Sequence, residues 1–152
     1  MSVKQYQTYN VLEASKDRIS KVFDDFEKIY ISFSGGKDST AMLHMMIDKK
    51  EQIDEIMFFE TGWDFPEMED HIKKVEANIG RKITRVRFYR HFDELLQRWG
   101  WPHHKGGWCV RCKVMTANQF ARNINCTTEC IGFSSSEEHR TKRITINSKK
   151  WI

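Results

Sequence analysis

Six residues constrain this chain more than any others. Ser34-Gly35-Gly36-Lys37-Asp38-Ser39 lies between a β-prone run, Ile29-Tyr30-Ile31-Ser32-Phe33, and a helical pattern over Ala41 to Ile47. A strand that runs into two glycines and then a helix is a strand–turn–helix unit. Consecutive glycines permit positive φ and close approach of a ligand to the backbone, so successive N–H groups can turn inward as an anion nest. The helix that follows adds its positive N-terminal end. Lys37 contributes a mobile full charge, and the hydroxyls of Ser34 and Ser39 are expected to donate to phosphate oxygens. Asp38 is the odd member, because a carboxylate beside phosphates is repelled unless it caps the helix or meets a divalent cation. The lysine follows the second glycine directly, which separates this loop from the G-x-x-x-x-G-K-S/T phosphate loop.

The rest of the chain repeats the alternation. Residues 10–27 carry apolar side chains at spacings of three and four and predict an amphipathic helix. Ile53 to Phe59 reads as a buried strand stopping at Thr61-Gly62, and Pro66 suits the first turn of a helix closed by Gly80. Ile83 to Tyr89 is a third strand, His91 to Trp99 a helix, Lys113 to Arg122 another helix, and Cys130 to Phe133 a fourth strand. Strand and helix in turn predict an α/β fold: a doubly wound, mostly parallel sheet with helices on both faces. Ligands in such sheets bind beyond the carboxyl ends of the strands, where Ser34–Gly36, Glu60-Thr61-Gly62 and Ser134-Ser135-Ser136 fall. A chain of 152 residues without repeats or proline-rich linkers reads as one domain, 1–152, with a cysteine-containing segment at 109–130.

Charge is unevenly spread. Residues 1–80 hold 10 basic and 16 acidic side chains, whereas residues 81–152 hold 15 and 5. The C-terminal half is therefore expected to face something anionic, a nucleotide, a sulfate or a nucleic acid. No run approaches the ~18 apolar residues of a membrane span, and Met1 to Tyr6 has no apolar h-region. A soluble, cytoplasmic protein is expected. Its four cysteines cluster at Cys109, Cys112, Cys126 and Cys130. Four thiolates would close a tetrahedral zinc site or hold an iron–sulfur cluster; the pairs would also serve as a redox or partial site, or as buried thiols of no special role.

The segment Ile31-Ser32-Phe33-Ser34-Gly35-Gly36-Lys37-Asp38-Ser39-Thr40-Ala41-Met42-Leu43-His44 resembles the PP-loop of the adenine nucleotide α-hydrolase superfamily, and within it the phosphoadenosine phosphosulfate (PAPS) reductase family. Glu60-Thr61-Gly62-Trp63-Asp64-Phe65-Pro66-Glu67 resembles the family's TG-then-FPE signature, and Ile131-Gly132-Phe133-Ser134-Ser135-Ser136-Glu137-Glu138-His139-Arg140 partly matches a third motif. The resemblance spans about residues 28–145. It implies an adenine nucleotide, ATP or PAPS, in the crevice. An intact loop of this type implies Mg-ATP and attack on its α-phosphate with loss of pyrophosphate, whereas sulfonucleotide reductases tend to carry a degraded loop. The acceptor would be sulfate, a nucleic-acid base, or a carbonyl later displaced by sulfur.

On this reading Lys37, Asp38 and Ser39 are catalytic, and Ser34, Gly35, Gly36, Lys37, Ser39, Glu60, Thr61, Gly62 and Arg140 bind the nucleotide, Glu60 orienting it or its Mg²⁺. Cys109 to Val114 resembles the cysteine segment of cluster-bearing reductases, but Trp108 stands for the first cysteine and Cys112 for an arginine. No cysteine follows Cys130, so sulfonucleotide reduction would need Cys126, Cys130 or another chain as thiol donor. A homodimer or partner subunit would complete such a site. A non-catalytic nucleotide or nucleic-acid module is the remaining expectation. The stretch Trp101 to Trp108 is expected to close over substrate, with His103 and His104 as phosphate contacts or metal ligands; Lys142 and Arg143 join Arg140 as anion contacts.

Overall fold

In the computed structural model, which describes residues 10–102 and 107–132, helices and parallel strands alternate. α1 (Val11–Asp25) starts where Asn10 accepts a hydrogen bond from the Glu13 N–H at 2.9 Å. It leads to β1 (Ile29–Phe33), α2 (Lys37–Met46), a 3-10 stretch Ile47–Gln52, and β2 (Ile53–Glu60). α3 (Glu67–Ile79) ends on Gly80 at φ +65, the left-handed cap a glycine supplies without strain. β3 (Thr84–Arg87), α4 (Phe92–Trp99), α5 (Trp108–Asn123) and β4 (Thr128–Ile131) follow.

The described strands form one sheet in the order β3-β2-β1-β4, every neighbouring pair parallel. β1 alternates its side chains between two cores, as period-two geometry requires. Ile29, Ile31 and Phe33 join Ile56 and Phe58 of β2 against Phe23 of α1, Leu43 and Met46 of α2, and Ile72, Val75 and Ile79 of α3. Tyr30 and Met57 face the other way, against Ala117 and Phe120 of α5, with the Tyr30 and Phe120 rings edge to face at 5.5 Å. A third cluster joins Phe92 and Leu95 of α4 to Cys112 of α5. Helices thus cover both faces of a parallel sheet, the expected doubly wound architecture. Among the described residues no helix is long and apolar enough to cross a membrane.

The boundaries move where packing or capping outweighs local pattern. α5 begins at Trp108, five residues before the expected Lys113, because Gly107 caps it and its first turn buries Cys112 against α4. β4 is two residues earlier than expected, its Thr128–Ile131 paired in register with Ile29–Ser32. α2 begins at Lys37, with Gly36 at its N-cap and no side-chain cap. Asp38 is therefore inside the first turn and does not cap the helix.

Candidate functional site

Parallel pairing places the carboxyl ends of all described strands on one edge. The chain steps from β1 to β2 on one side and returns as β4 on the other, so the crevice of the sheet opens between β1 and β4. The Ser34–Ser39 loop leaves β1 at that point. Gly35 has φ +75, and a Cβ there would lie 2.5 Å from the Met68 sulfur of α3. Gly132, just past β4, is tighter: a Cβ would lie 2.7 Å from Ser39 Cα and 2.8 Å from the Asp38 carbonyl oxygen. Both glycines let neighbouring elements close on the loop. Gly132 belongs to the third motif, and its close approach to Asp38 and Ser39 joins β4 to the start of α2.

Ser39 is buried, and its hydroxyl donates to the Gly36 carbonyl at 2.9 Å. Its oxygen accepts from the Ser34 N–H at 3.2 Å and lies 3.0 Å from Ser34 Oγ, which accepts from the Gly36 N–H at 3.4 Å. A hydroxyl has one proton. With Ser39 donating to Gly36, the short Ser34–Ser39 contact ties the two ends of the loop together, whichever oxygen donates in it. These contacts shape the backbone of the loop. The first-turn N–H groups of α2, which have no intrahelical acceptors, remain at the crevice. Lys37 projects into solvent, its side chain 89% exposed and its Nζ 2.9 Å from Asp38 Oδ1.

The second loop is equally self-contained. Asp64 Oδ2 accepts from the N–H groups of Thr61 (2.9 Å) and Gly62 (3.3 Å), and Thr61 Oγ1 accepts from the Trp63 N–H at 3.0 Å. Gly62, at φ +82, makes the turn. Glu60 is held by Arg87, its cross-strand partner on β3, through two 2.7 Å hydrogen bonds. The Arg87 hydrogen bonds hold the Glu60 carboxyl below its usual value. Glu60 thus ties β2 to β3 in this structure. A hollow of about 220 Å³ opens beside this loop, lined by Phe58, Gly62, Phe65 and Met68 among others. A larger one, about 320 Å³, lies at the far end of α3 around Gly80 and has no part in the site.

His71 lies outside the sequence motifs. It occupies the core-facing stripe Met68, His71, Ile72, Val75 of α3, stacks on Phe33 at 6.2 Å, and lies beneath Gly35. Its Nε2 is buried without a hydrogen-bond partner. A histidine inside an apolar helical stripe was the available signal.

The four cysteines are not brought to one point. Cys109 and Cys112 lie in the first turn of α5 beside Phe92 and Leu95, whereas Cys126 packs with Tyr30 and Phe120 and Cys130 against the core on the other face. The length of α5, at about 1.5 Å per residue, puts on the order of 15 Å between the pairs, far beyond the ~2.3 Å of a zinc–sulfur bond. The four-ligand zinc or iron–sulfur expectation is corrected accordingly: among the described residues no group of three or more His, Cys, Asp or Glu is arranged to hold a metal ion. Burial raises the Cys112 and Cys126 thiols, and pushes Cys130 up to about 11 with further help from Cys126 and Glu129. Arg140, Lys142, Arg143, His103, His104 and Ser134–Ser136 lie outside the described residues.

The profile described as phosphoadenosine phosphosulfate reductase domain matches residues 28–151. Uncharacterized protein MJ0066 of Methanocaldococcus jannaschii is 30% identical over 110 residues, 69% of this chain but 23% of that protein. Uncharacterized protein YbdN of Escherichia coli is 41% identical over 44 residues, 29% of this chain and 11% of its own length. Among solved structures, the U34-tRNA thiolase NcsA from Methanococcus maripaludis with its 4Fe–4S cluster superposes with TM-score 0.58 at 21% identity, over 80% of this chain and 45% of NcsA. The NH3-dependent NAD synthetase of Campylobacter jejuni gives 0.60 at 13%, over 90% and 72%, and the PAPS reductase of Candida auris 0.59 at 15%, over 88% and 70%. At these identities the superpositions establish a shared fold.

Proposed function

This chain belongs to the phosphoadenosine phosphosulfate reductase domain family, and on that premise we propose that it binds ATP at Ser34–Ser39 and directs an acceptor oxygen onto the α-phosphorus. The acceptor's lone pair forms the new P–O bond, the bond between the α-phosphorus and the bridging oxygen breaks, and pyrophosphate departs with that electron pair. The product is an adenylylated acceptor. The single observation that carries this reading is an intact loop held in shape by Ser34 and Ser39 at the start of α2, with Lys37 at its mouth. Fixed N–H dipoles and one full positive charge there would stabilise the charge that develops on the leaving pyrophosphate.

Asp38 is half-exposed and pairs with the solvent-exposed Lys37, Glu60 pairs with Arg87, and Asp64 accepts from backbone amides. One carboxylate fits Mg²⁺, which usually takes one or two along with phosphate oxygens and waters. Bound Mg²⁺ would neutralise phosphate charge, and Asp38 would hold it. The thiol-dependent alternative is weakened by burial, because the thiolate is the nucleophile and Cys126 and Cys130 are both shifted toward the neutral thiol.

Two measurements test the proposal. Calorimetric titration should show ATP binding at least tenfold more tightly than AMP, since only ATP presents β- and γ-phosphates to the loop. Lys37→Ala should lower pyrophosphate release from ATP by about 10²-fold, the usual order for removing one group that stabilises transition-state charge. Unchanged release in that variant overturns the assignment.

A further inference from the structure

The edge that carries the loop also carries an aromatic surface. Trp63 follows β2, α4 follows β3, and α5 starts on the same edge, so Trp63, Trp99, Trp101 and Trp108 meet there. Trp63 lies 6.2 Å from both Trp101 and Trp108, and Trp108 lies 6.3 Å from Trp99. Phe92 anchors the group from below, 5.5 Å from Trp63 and 5.1 Å from Trp108 in edge-to-face contact. The outer rings remain open: Trp101 is 77% exposed, Trp99 53% and Trp63 40%. Exposed rings that touch one another, rather than lying singly, point to an interaction site.

Charge narrows the partner. Residues 81–132 hold ten Lys and Arg against three Asp and Glu. Cations sit on the rings themselves, Arg98 over Trp99 at 5.9 Å, Arg90 over exposed Tyr89 at 5.5 Å, and Lys113 over Phe59 at 5.9 Å. Asp93 accepts the Trp63 Nε1–H at 2.8 Å, and the Gly100 carbonyl accepts that of Trp108 at 3.0 Å. Those two indoles therefore offer ring surface with their N–H groups already used. Open rings interleaved with cations are what unpaired bases on a polyanionic backbone require.

We propose that this surface docks a single-stranded nucleic acid, its bases stacked on Trp101, Trp99 and Trp63 and its phosphates near Arg98 and Arg90. This deepens the ATP reading by naming the acceptor class, but the binding itself does not depend on turnover. One purine of a mononucleotide would cover a single indole, whereas here three indoles remain open.

The test is fluorescence anisotropy with labelled 12-mer single-stranded RNA and DNA, a duplex of the same sequence, and AMP as competitor, at 50 and 200 mM salt. Single strands should bind more tightly than the duplex and weaken with salt. Trp101→Ala, with thermal stability unchanged, should lose about tenfold in strand affinity, and Arg98→Ala should flatten the salt dependence. Lys37→Ala should keep strand binding while losing pyrophosphate release, so failure of the loop assignment and failure of this one are told apart. Strand affinity unaltered by Trp101→Ala overturns the proposal. So does full competition by AMP, which would make the rings an adenine site, or a concentration-dependent dimer abolished by Trp101→Ala, which would make them a contact between copies.

Discussion

The loop after β1 and the aromatic corner of α4 and α5 share an edge of the sheet but are held together in opposite ways. The loop is fixed by hydrogen bonds among Ser34, Gly36, Ser39 and Thr40, all within one turn of chain. The corner is fixed by ring packing between Trp63, Phe92, Trp101 and Trp108, which come from three separate connections. Short-range polar bonds make a shape that is written in consecutive residues. Long-range apolar contacts make one that exists only after the chain has folded.

The strongest way to break that contrast is to remove the corner's anchor. Phe92→Ala deletes the ring beneath both Trp63 and Trp108 and should cost about 3–5 kcal/mol in chemical unfolding, while ATP affinity of the remaining folded protein stays within about twofold by calorimetry. A matching loss of ATP binding would show that the two regions are one unit. Next comes Gly132→Ala, whose Cβ would press on the backbone of Asp38 and Ser39. Overpacking of this kind costs about 1–3 kcal/mol, and here it should also weaken ATP binding more than tenfold, with Trp fluorescence of the corner unchanged.

The smallest effect belongs to Glu60, which lies between the two regions. Its folded-state carboxyl is held low by Arg87, so the pair's contribution is present above the unfolded carboxyl pKa, about 4.3, and is lost as pH falls through the folded value. Arg87 is largely exposed, so solvent screening keeps the contribution small. Glu60→Gln should lower the melting temperature by at most a few degrees at pH 7, and the difference should shrink toward pH 3. A difference that persists at pH 3 would mean that Glu60 acts through packing.

This contrast also explains what could be read in advance. β1 and the glycine loop were legible because the chemistry of Ser34 to Ser39 is contiguous, and the parallel sheet followed from the alternation of strand and helix. The contacts that Ser34 and Ser39 make with each other and with Gly36 were not legible, since residue types alone do not say which hydroxyl meets which backbone group. The separation of the cysteine pairs is a different case: the helix expected over Lys113 to Arg122 already lies between Cys112 and Cys126, and its length keeps the two pairs apart. The tryptophans at 63, 99, 101 and 108 carry no periodicity, so nothing local announced that they would meet.

β1 lies between β2 and β4, and Ile29, Ile31 and Phe33 are almost wholly shielded from water. The loop is thus mounted on the least yielding strand of the molecule. Amide exchange should be slowest there and indifferent to nucleotide, because a strand already gripped on four sides has no slack to surrender. Whatever adjustment accompanies occupancy must be taken up along the rim, by Met68, by the turn at Gly62 and by the approach of Gly132, while the mount itself stays still.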